Sequence, residues 1–158
     1  MARSLFGDAI DYGRVKVHKE EYLPFGLQPD DTAMTPNGEM YFNPKRFVED
    51  FSVSSFLDSL WFMHEMVHVW QYQLGYPVAL RGAIRIGLGY GYTLSADKNL
   101  SNYNMEAQGN LLSDYWALSQ FANPPSLWEP KHRKDLPLYE QVLKDFIANP
   151  ADKKNLPD

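Results

Sequence analysis

The most regular alternation of apolar and polar residues lies between positions 54 and 74. Seven positions in this segment recur every three or four residues and form one stripe of a helix: Leu57, Leu60, Trp61, His64, Val67, His68 and Gln71. Neither proline nor glycine interrupts the segment, and Ser54 or Ser55 can cap its beginning. Gly75 followed by Pro77 is a stop signal. The pattern predicts a helix over residues 54–74.

A second helical run extends from position 104 to position 121. One side of it is broadly apolar and contains Leu111, Leu112, Tyr115, Trp116 and Leu118. A different stripe carries small or polar residues, namely Glu106, Gly109, Asn110, Ser113 and Ala117. A glycine inside a helix costs about 1 kcal/mol relative to alanine. We therefore expect Gly109 to mark a close approach between this helix and the first one.

Short segments before the first helix have the alternation of strands. Residues 9–18 predict one strand. Residues 33–35 and 39–42 flank an Asn37-Gly38 pair, which favours a tight turn, so we predict strand, turn and strand there. An edge strand beside the first helix could bind an extended peptide by adding it to the sheet. An ordinary hairpin that completes the sheet is the equal alternative.

The segment between the two helices, residues 80–95, contains Gly87, Gly89 and Gly91 in alternation. This is not the glycine spacing of a nucleotide-binding loop. It predicts a bent strand or flexible loop along a cleft, with Tyr90 and Tyr92 displayed near a substrate.

The C-terminal third predicts less regular structure. Residues 137–147 have the apolar spacing of a short third helix, with Asp135 as its cap and Asn149-Pro150 as its end. The last eight residues, 151–158, predict a flexible tail. We thus expect a small α+β protein with one domain over residues 1–150, in which N-terminal strands pack on the helix pair.

Composition narrows the function classes. A length of 158 residues suits one domain with a sizeable core. The formal net charge of −5 argues against nucleic acid as a partner. No apolar run approaches membrane-spanning length, so we expect no membrane insertion. The N-terminus lacks the apolar segment of a signal peptide, so an exported protein would need another route or a longer parent chain.

The run His64-Glu65-Met66-Val67-His68 indicates a specific chemistry. Positions i and i+4 of a helix lie on one face about one turn apart, so two imidazoles can hold one metal ion. Glu65 is placed to deprotonate a water on that ion as a general base. The arrangement suits zinc, whose bound water ionises near pH 7, and we expect one zinc ion per chain.

A zinc hydrolase usually takes three protein ligands and leaves the fourth position to water. The chain has no cysteine, and the downstream candidates are Asp97, Glu106, Asp114, Glu129 and His132. Glu106 is favoured because it lies on the small and polar stripe of the second helix. His132 is the rival ligand, but its charged surroundings, residues 129–135, predict an exposed loop and a solvated histidine. The sequence therefore predicts a site of His64, His68 and Glu106.

Several residues are candidates for two supporting roles, the stabilisation of an oxyanion and the orientation of a ligand histidine. Tyr103, three residues before Glu106, is the first candidate for the hydrogen-bond donor that stabilises an oxyanion, with His132 and Tyr92 behind it. Asn110 could orient a ligand histidine from the next turn of the second helix, and Asp114 could do so one turn further.

Three segments together resemble a known family. They are H-E-M-V-H-V-W-Q at 64–71, M-E-A-Q at 105–108 and T-P-N-G-E-M-Y-F at 35–42. They look like the zinc metallopeptidase toxin domains found at the C-termini of type VI secretion spike (VgrG-type) and Rhs-type polymorphic toxin proteins of Gram-negative bacteria.

That resemblance implies a zincin-like fold, zinc held by His64, His68 and Glu106, and Glu65 as general base. It also implies a peptide or protein substrate, a spike or Rhs carrier, a cognate immunity protein, and secretion into the periplasm of a target cell.

Two other function classes stay open at this point. The same ligands would serve a zinc hydrolase acting on a non-peptide bond such as a cell-wall amide. Alternatively, zinc could merely brace a non-catalytic binding module, although structural sites normally close with four protein ligands.

Overall fold

The computed structural model describes residues 1–84 and 88–158, and in these ranges the chain forms six α-helices and three short strands. The helices are α1 (Arg3–Phe6), α2 (Phe56–Gln73), α3 (Val78–Ile84), α4 (Met105–Gln120), α5 (Leu136–Val142) and α6 (Lys144–Ala148). The strands are β1 (Val17–His18), β2 (Ala33–Met34) and β3 (Met40–Phe42). This arrangement is compatible with the α+β class. None of the helices in the described ranges has the length and apolar character needed to cross a lipid bilayer.

Helix α2 confirms the prediction for residues 54–74. The Ser55 side chain accepts a hydrogen bond from the Asp58 backbone N–H at 3.2 Å, and the Asp58 carboxylate accepts from the hydroxyls of Ser54 and Ser55 at 2.7 Å each. These bonds satisfy donors that a helix N-terminus leaves open. At the other end, Leu74 caps the helix and Gly75 adopts φ +98°, the left-handed backbone that favours glycine.

Helix α4 confirms the second predicted helix and packs directly on α2. Asn104 caps it by accepting hydrogen bonds from the N–H groups of Glu106 and Ala107, both at 3.0 Å. The close approach predicted at Gly109 is confirmed, because a Cβ atom there would lie 2.5 Å from Cε1 of the His64 ring. Only a residue without a side chain lets the two helices come this near.

The small sheet has the order β1-β3-β2, with β1 parallel and β2 antiparallel to β3. The strand, turn and strand predicted between residues 33 and 42 are confirmed, with Gly38 at φ +78° in the turn. The prediction for residues 9–18 was too long. A 3-10 turn occupies Tyr12–Arg14 because the Asp11 side chain accepts from the Gly13 N–H at 3.1 Å, and only Val17–His18 pairs.

The core fills the space around α2, and aromatic side chains are prominent in it. Trp70 is fully buried, and its ring packs against those of Phe6 and Phe146 at centroid distances of 6.1 and 5.4 Å. The Trp70 indole N–H donates to the backbone carbonyl of Pro150 at 2.8 Å. Burial of these rings ties both ends of the chain to the helix that carries the site.

The prediction of a flexible tail at 151–158 differs from the structure. Lys153–Asn155 form a 3-10 turn, and the buried Asn155 accepts a hydrogen bond from Gln108 of α4 through its backbone carbonyl at 3.0 Å. The N–H of Asp158 donates to the carbonyl of Ser101 at 3.1 Å. Tertiary hydrogen bonds, which the local sequence does not reveal, hold this segment against α4.

The segment 80–95, predicted as a bent strand or a loop, differs from the prediction at its beginning, because residues 80–84 belong to α3. Residues 85–87, with Gly87, lie outside the described residues, and residues 88–95 have no regular secondary structure, in agreement with a loop. The predicted third helix is divided into α5 and α6 at Leu143, and the Asp135 carboxylate bonds to His132 instead of capping.

Candidate metal centre

Three side chains from the two central helices converge on one point. His64 and His68 project from α2, and Glu106 projects from the first turn of α4. The two Nε2 atoms lie 3.1 Å apart, and Glu106 Oε2 lies 3.3 Å from Nε2 of His64 and 3.2 Å from Nε2 of His68. Within the described residues this trio is the group of histidine and acidic side chains arranged to hold a metal ion. The structure thus brings together the three residues predicted as ligands.

The donor set and its spacing fit a zinc ion. A tetrahedral ion with bonds of about 2.0–2.1 Å holds its ligand atoms roughly 3.3 Å from one another. The edges of the triangle formed by His64, His68 and Glu106 measure 3.1–3.3 Å, close to that value. Two imidazole nitrogens and one carboxylate oxygen are ligands that zinc accepts readily.

Asn110 determines how the His64 ring is protonated. The Asn110 side-chain NH₂ donates to the backbone carbonyl of Tyr90 at 2.9 Å, so its carbonyl oxygen, Oδ1, faces His64 Nδ1 at 2.8 Å. An amide oxygen only accepts hydrogen bonds, and Nδ1 must therefore carry the proton. Nε2 keeps its lone pair directed at the centre, which is the form that binds metal.

Gln71 does the same for His68. Its Oε1 lies 2.8 Å from His68 Nδ1, and its NH₂ donates to Gln108 Oε1 at 2.9 Å and to the Met105 carbonyl at 3.2 Å. The latter two acceptors fix the orientation of the amide. Gln71 was included in the predicted helical stripe, but its contact with His68 was not anticipated. Its position three residues after His68, on the same face of α2, was the available signal.

The electrostatic state of the trio favours a cation at its centre. Burial alone lowers the pKa of His68, but the charge and hydrogen bond of Glu106 outweigh it and raise that pKa to about 9. Burial likewise opposes ionisation of Glu106, yet the two histidines hold its pKa well below the ordinary value. A proton on His68 and a metal ion would therefore compete for the same place.

Glu65 lies beside the trio and is also buried. Its Oε2 accepts a hydrogen bond from the hydroxyl of Thr35 at 2.6 Å. Thr35 directly follows β2 and was not predicted as a site residue. The signal in the sequence was its place at the head of the T-P-N-G segment, although nothing local connects that segment to Glu65.

Asp114 lies deeper and contacts the neighbouring loop. Its carboxylate accepts from the N–H groups of Trp128 and Glu129 at 2.8 and 2.9 Å and from the Tyr92 hydroxyl at 2.6 Å. The Trp128 ring packs edge-on to His64 at a centroid distance of 6.1 Å. Asp114 was predicted to orient a histidine directly, whereas in the structure its bonds hold the loop that covers one.

The three candidate oxyanion donors have other partners. The Tyr103 hydroxyl donates to the backbone carbonyl of Thr93 at 3.0 Å, and that of Tyr92 donates to Asp114. His132 is buried, so the prediction of a solvated histidine was wrong. Its Nδ1 bonds Asp135 at 2.7 Å and its Nε2 accepts from the Leu94 N–H at 3.2 Å. Of the charged neighbours in sequence, Lys131 and Lys134 are exposed, whereas Asp135 faces His132. The Tyr92 ring stacks on the imidazole at a centroid distance of 5.7 Å.

Of the tyrosines predicted to line a cleft, Tyr92 is buried and Tyr90 is 58% exposed. The Tyr90 ring lies 6.0 Å from the His64 ring at an interplanar angle of 27°. Tyr90 and Trp128 therefore flank the same ligand, and both rings are partly exposed to solvent, Tyr90 more than Trp128.

We expect Asp114 to make stability fall as pH rises. Burial raises the pKa of Asp114 from 3.8 to about 6 in the folded protein, against the opposing effect of its hydrogen bonds. The folded state therefore binds the proton more tightly than the unfolded state between pH 4 and 6. The stabilisation that Asp114 gives the folded protein is fully present below pH 4 and is lost as the pH rises through 6. The free energy of unfolding changes by at most about 3 kcal/mol over this interval.

The measurement is the free energy of unfolding in urea at pH 4 and pH 7 for the wild type and Asp114→Asn. The difference in free energy of unfolding between the wild type and Asp114→Asn should move against the wild type from pH 4 to pH 7. A difference that moves in favour of the wild type over this interval would show that Asp114 titrates with a lowered pKa.

The fold and site define a small protein of helices and a three-stranded sheet with a candidate metal centre between its two longest helices. No family model matches the chain. It is 42% identical over 123 residues to the type VI secretion system spike protein VgrG2b of Pseudomonas aeruginosa, a match that covers 73% of this chain and 12% of that protein. The chain thus corresponds to a small fraction of the length of this relative.

The solved structure of the effector domain of Pseudomonas aeruginosa VgrG2b superposes with a TM-score of 0.67 at 34% identity. The match covers 92% of this chain and 76% of that one. The chain belongs to the family of the VgrG2b effector domain. The resemblance stated from the sequence is confirmed as far as it concerns spike-associated effector domains.

Proposed function

We propose that this protein is a type VI secretion effector whose activity is zinc-dependent peptide hydrolysis, built on a zincin-like fold. The observation that carries the proposal is the convergence of His64, His68 and Glu106 at 3.1–3.3 Å, with the Glu65 carboxylate beside them. Membership of the VgrG2b effector-domain family supports the effector part.

Each residue has a definable task in hydrolysis. His64, His68 and Glu106 would hold the ion, and Asn110 and Gln71 keep the two imidazoles in the metal-binding tautomer. When bound, zinc supplies a Lewis acid that polarises a carbonyl and lowers the pKa of water. Glu65 would accept a proton from the attacking water and pass it to the leaving amine.

Three ligands favour catalysis over a purely structural role. A structural zinc site normally closes with four protein ligands. In residues 1–84 and 88–158, the group that can surround an ion consists of three side chains. A fourth position would then be open to water, and Glu65, adjacent to His64 in α2, would supply the general base.

The spike protein relative bears on where the enzyme would act. Its name assigns that relative to the type VI secretion system. We propose that this chain is likewise carried by a secretion spike of a Gram-negative bacterium and acts in the periplasm of a target cell. A cognate immunity protein would then protect the producing cell.

Zinc removal tests the enzymatic proposal. The purified protein should contain about one zinc ion per chain by elemental analysis and cleave members of an internally quenched peptide library. Dialysis against a chelator should abolish cleavage, and one equivalent of zinc should restore it. Cleavage of purified peptidoglycan in place of peptides would redirect the proposal to a cell-wall amide. Bound zinc without hydrolysis of either substrate would indicate a binding module.

The site of action is tested by expression with and without a periplasmic export signal in a Gram-negative host. Growth arrest confined to the exported form supports a periplasmic target. Arrest by the cytoplasmic form alone would contradict it.

A further inference from the structure

The hydrogen bond between Thr35 and Glu65 joins two distant parts of the chain. The Thr35 hydroxyl lies 2.6 Å from Glu65 Oε2, and each residue is only 4% exposed. An ionised carboxylate only accepts hydrogen bonds, so the single hydroxyl proton of Thr35 is directed at Glu65. Bonds to a charged acceptor in a buried place are among the stronger ones in proteins.

The hairpin that carries Thr35 is placed against α2 at two points. Thr35 contacts Glu65, and Gly38, in the turn three residues later, packs against the Tyr72 ring so closely that no Cβ atom would fit. Glu65 and Tyr72 are seven residues apart and therefore lie on the same face of α2. The pairing of Met34 with Tyr41 of β3 anchors the strand that precedes Thr35. The hydroxyl is thus delivered to Glu65 by backbone structure and not by a flexible loop.

This contact distinguishes the two oxygens of the Glu65 carboxylate. Oε2 is occupied by the Thr35 hydroxyl. Rotation about the last bond of a glutamate side chain is otherwise soft, with a broad range of angles. With Oε2 held, Oε1 is the oxygen left to receive the proton of the attacking water.

We propose that Thr35 is a positioning residue that holds the Glu65 carboxylate in its reactive orientation. The proposal rests on the proposed hydrolytic function, in which Glu65 is the general base. Thr35 acts through Glu65 and needs no contact with the metal ion or the substrate. The hairpin between β2 and β3 would thus position a reactive side chain in addition to completing the sheet.

The test compares Thr35→Val, which replaces the hydroxyl with a methyl group of similar size, with Thr35→Ser, which retains the hydroxyl. Thr32→Val is the matched control, because the Thr32 hydroxyl lies in the same segment but donates to the Pro29 carbonyl at 2.8 Å. We expect Thr35→Val to lower kcat about 10- to 100-fold on a quenched peptide, with KM within about twofold and zinc content unchanged. Thr35→Ser and Thr32→Val should stay within about threefold of the wild type.

A structural readout separates this proposal from the proposed function. Crystal structures of the zinc-loaded wild type, Thr35→Val and Thr35→Ser should show the Glu65 carboxylate in one orientation wherever the hydroxyl is present, and rotated or divided between orientations in Thr35→Val. An unchanged orientation together with an unchanged kcat in Thr35→Val overturns the role of Thr35. If the wild type hydrolyses no peptide, the proposed function fails. The orientation of the Glu65 carboxylate in the crystal structures then decides by itself whether Thr35 positions Glu65.

Thermal unfolding of each variant identifies a change that acts through stability. If Thr35→Val does not fold, Thr35→Ala removes the same hydroxyl without adding a methyl group and takes its place against Thr35→Ser. An equal loss of kcat in Thr35→Ala and Thr35→Ser would overturn the proposal, because only Thr35→Ala lacks the hydroxyl.

Discussion

Replacing Glu65 with glutamine is expected to lower peptide hydrolysis about a thousandfold while the protein keeps about one zinc ion per chain. The amide is nearly isosteric with the carboxylate but cannot accept a proton from water, and positioned general bases contribute about 10²–10⁴ in rate. The three ligands are untouched, because Glu65 is not part of the triangle formed by His64, His68 and Glu106. The measurement is kcat/KM on a quenched peptide together with zinc content.

Glu140→Gln provides the control for Glu65→Gln. Glu140 is exposed, and the same change of one carboxylate to an amide should leave both rate and metal content unaltered. A Glu65→Gln protein that binds zinc and hydrolyses peptides at the wild-type rate would rule out Glu65 as the base. A variant that loses zinc would instead assign Glu65 a part in holding the ion.

Replacing Gly109 with alanine is expected to weaken zinc binding about 10- to 100-fold, although alanine is the better helix former by about 1 kcal/mol. The added Cβ would lie 2.5, 2.7 and 2.8 Å from three atoms of the His64 ring. Ordinary carbon contacts need about 3.5 Å, so the ring or the helix must move by about 1 Å. Metal–ligand bonds tolerate only about 0.2 Å, and the overpacking itself costs about 1–3 kcal/mol.

Gly82→Ala is the matched control, since Gly82 lies in α3 and a Cβ there would meet no atom within 4 Å. Zinc affinity by competition with a chromophoric chelator and thermal stability should both separate the two variants. Gly109→Ala should lose affinity and stability, while Gly82→Ala should retain affinity and gain slightly in stability. Unchanged affinity in Gly109→Ala would mean that the two helices can separate without disturbing His64.

The parts of this protein that could be predicted from sequence are those specified by local periodicity. Helices α2 and α4 have long apolar stripes and capping residues, and the spacing of His64 and His68 places both on one face regardless of the rest of the fold. The choice of Glu106 over other acidic residues followed from its stripe on the second helix. The short strands around Gly38 were predictable because the turn itself requires a left-handed residue.

The parts that were missed depend on contacts between distant segments. His132 has charged neighbours in sequence, yet Tyr92 and the Leu94 N–H enclose it. The tail is held by Gln108, and Thr35 reaches a glutamate thirty residues away. Nothing in the sequence next to these residues reports the partner, so their environment could be known only from the assembled fold.

The two amides behind the histidines have a consequence for how this sequence can change over generations. The side-chain oxygens of Asn110 and Gln71 each accept a hydrogen bond from a ligand imidazole. Their NH₂ groups donate to other segments of the chain, from Asn110 to the Tyr90 carbonyl and from Gln71 to Gln108. A mutation at either amide would disturb the chemistry and the fit of the surrounding elements in one event. Inactive descendants that stay well folded should therefore arise mainly through replacement of Glu65 by glutamine, which removes the base and keeps an oxygen that can accept the hydrogen bond of the Thr35 hydroxyl.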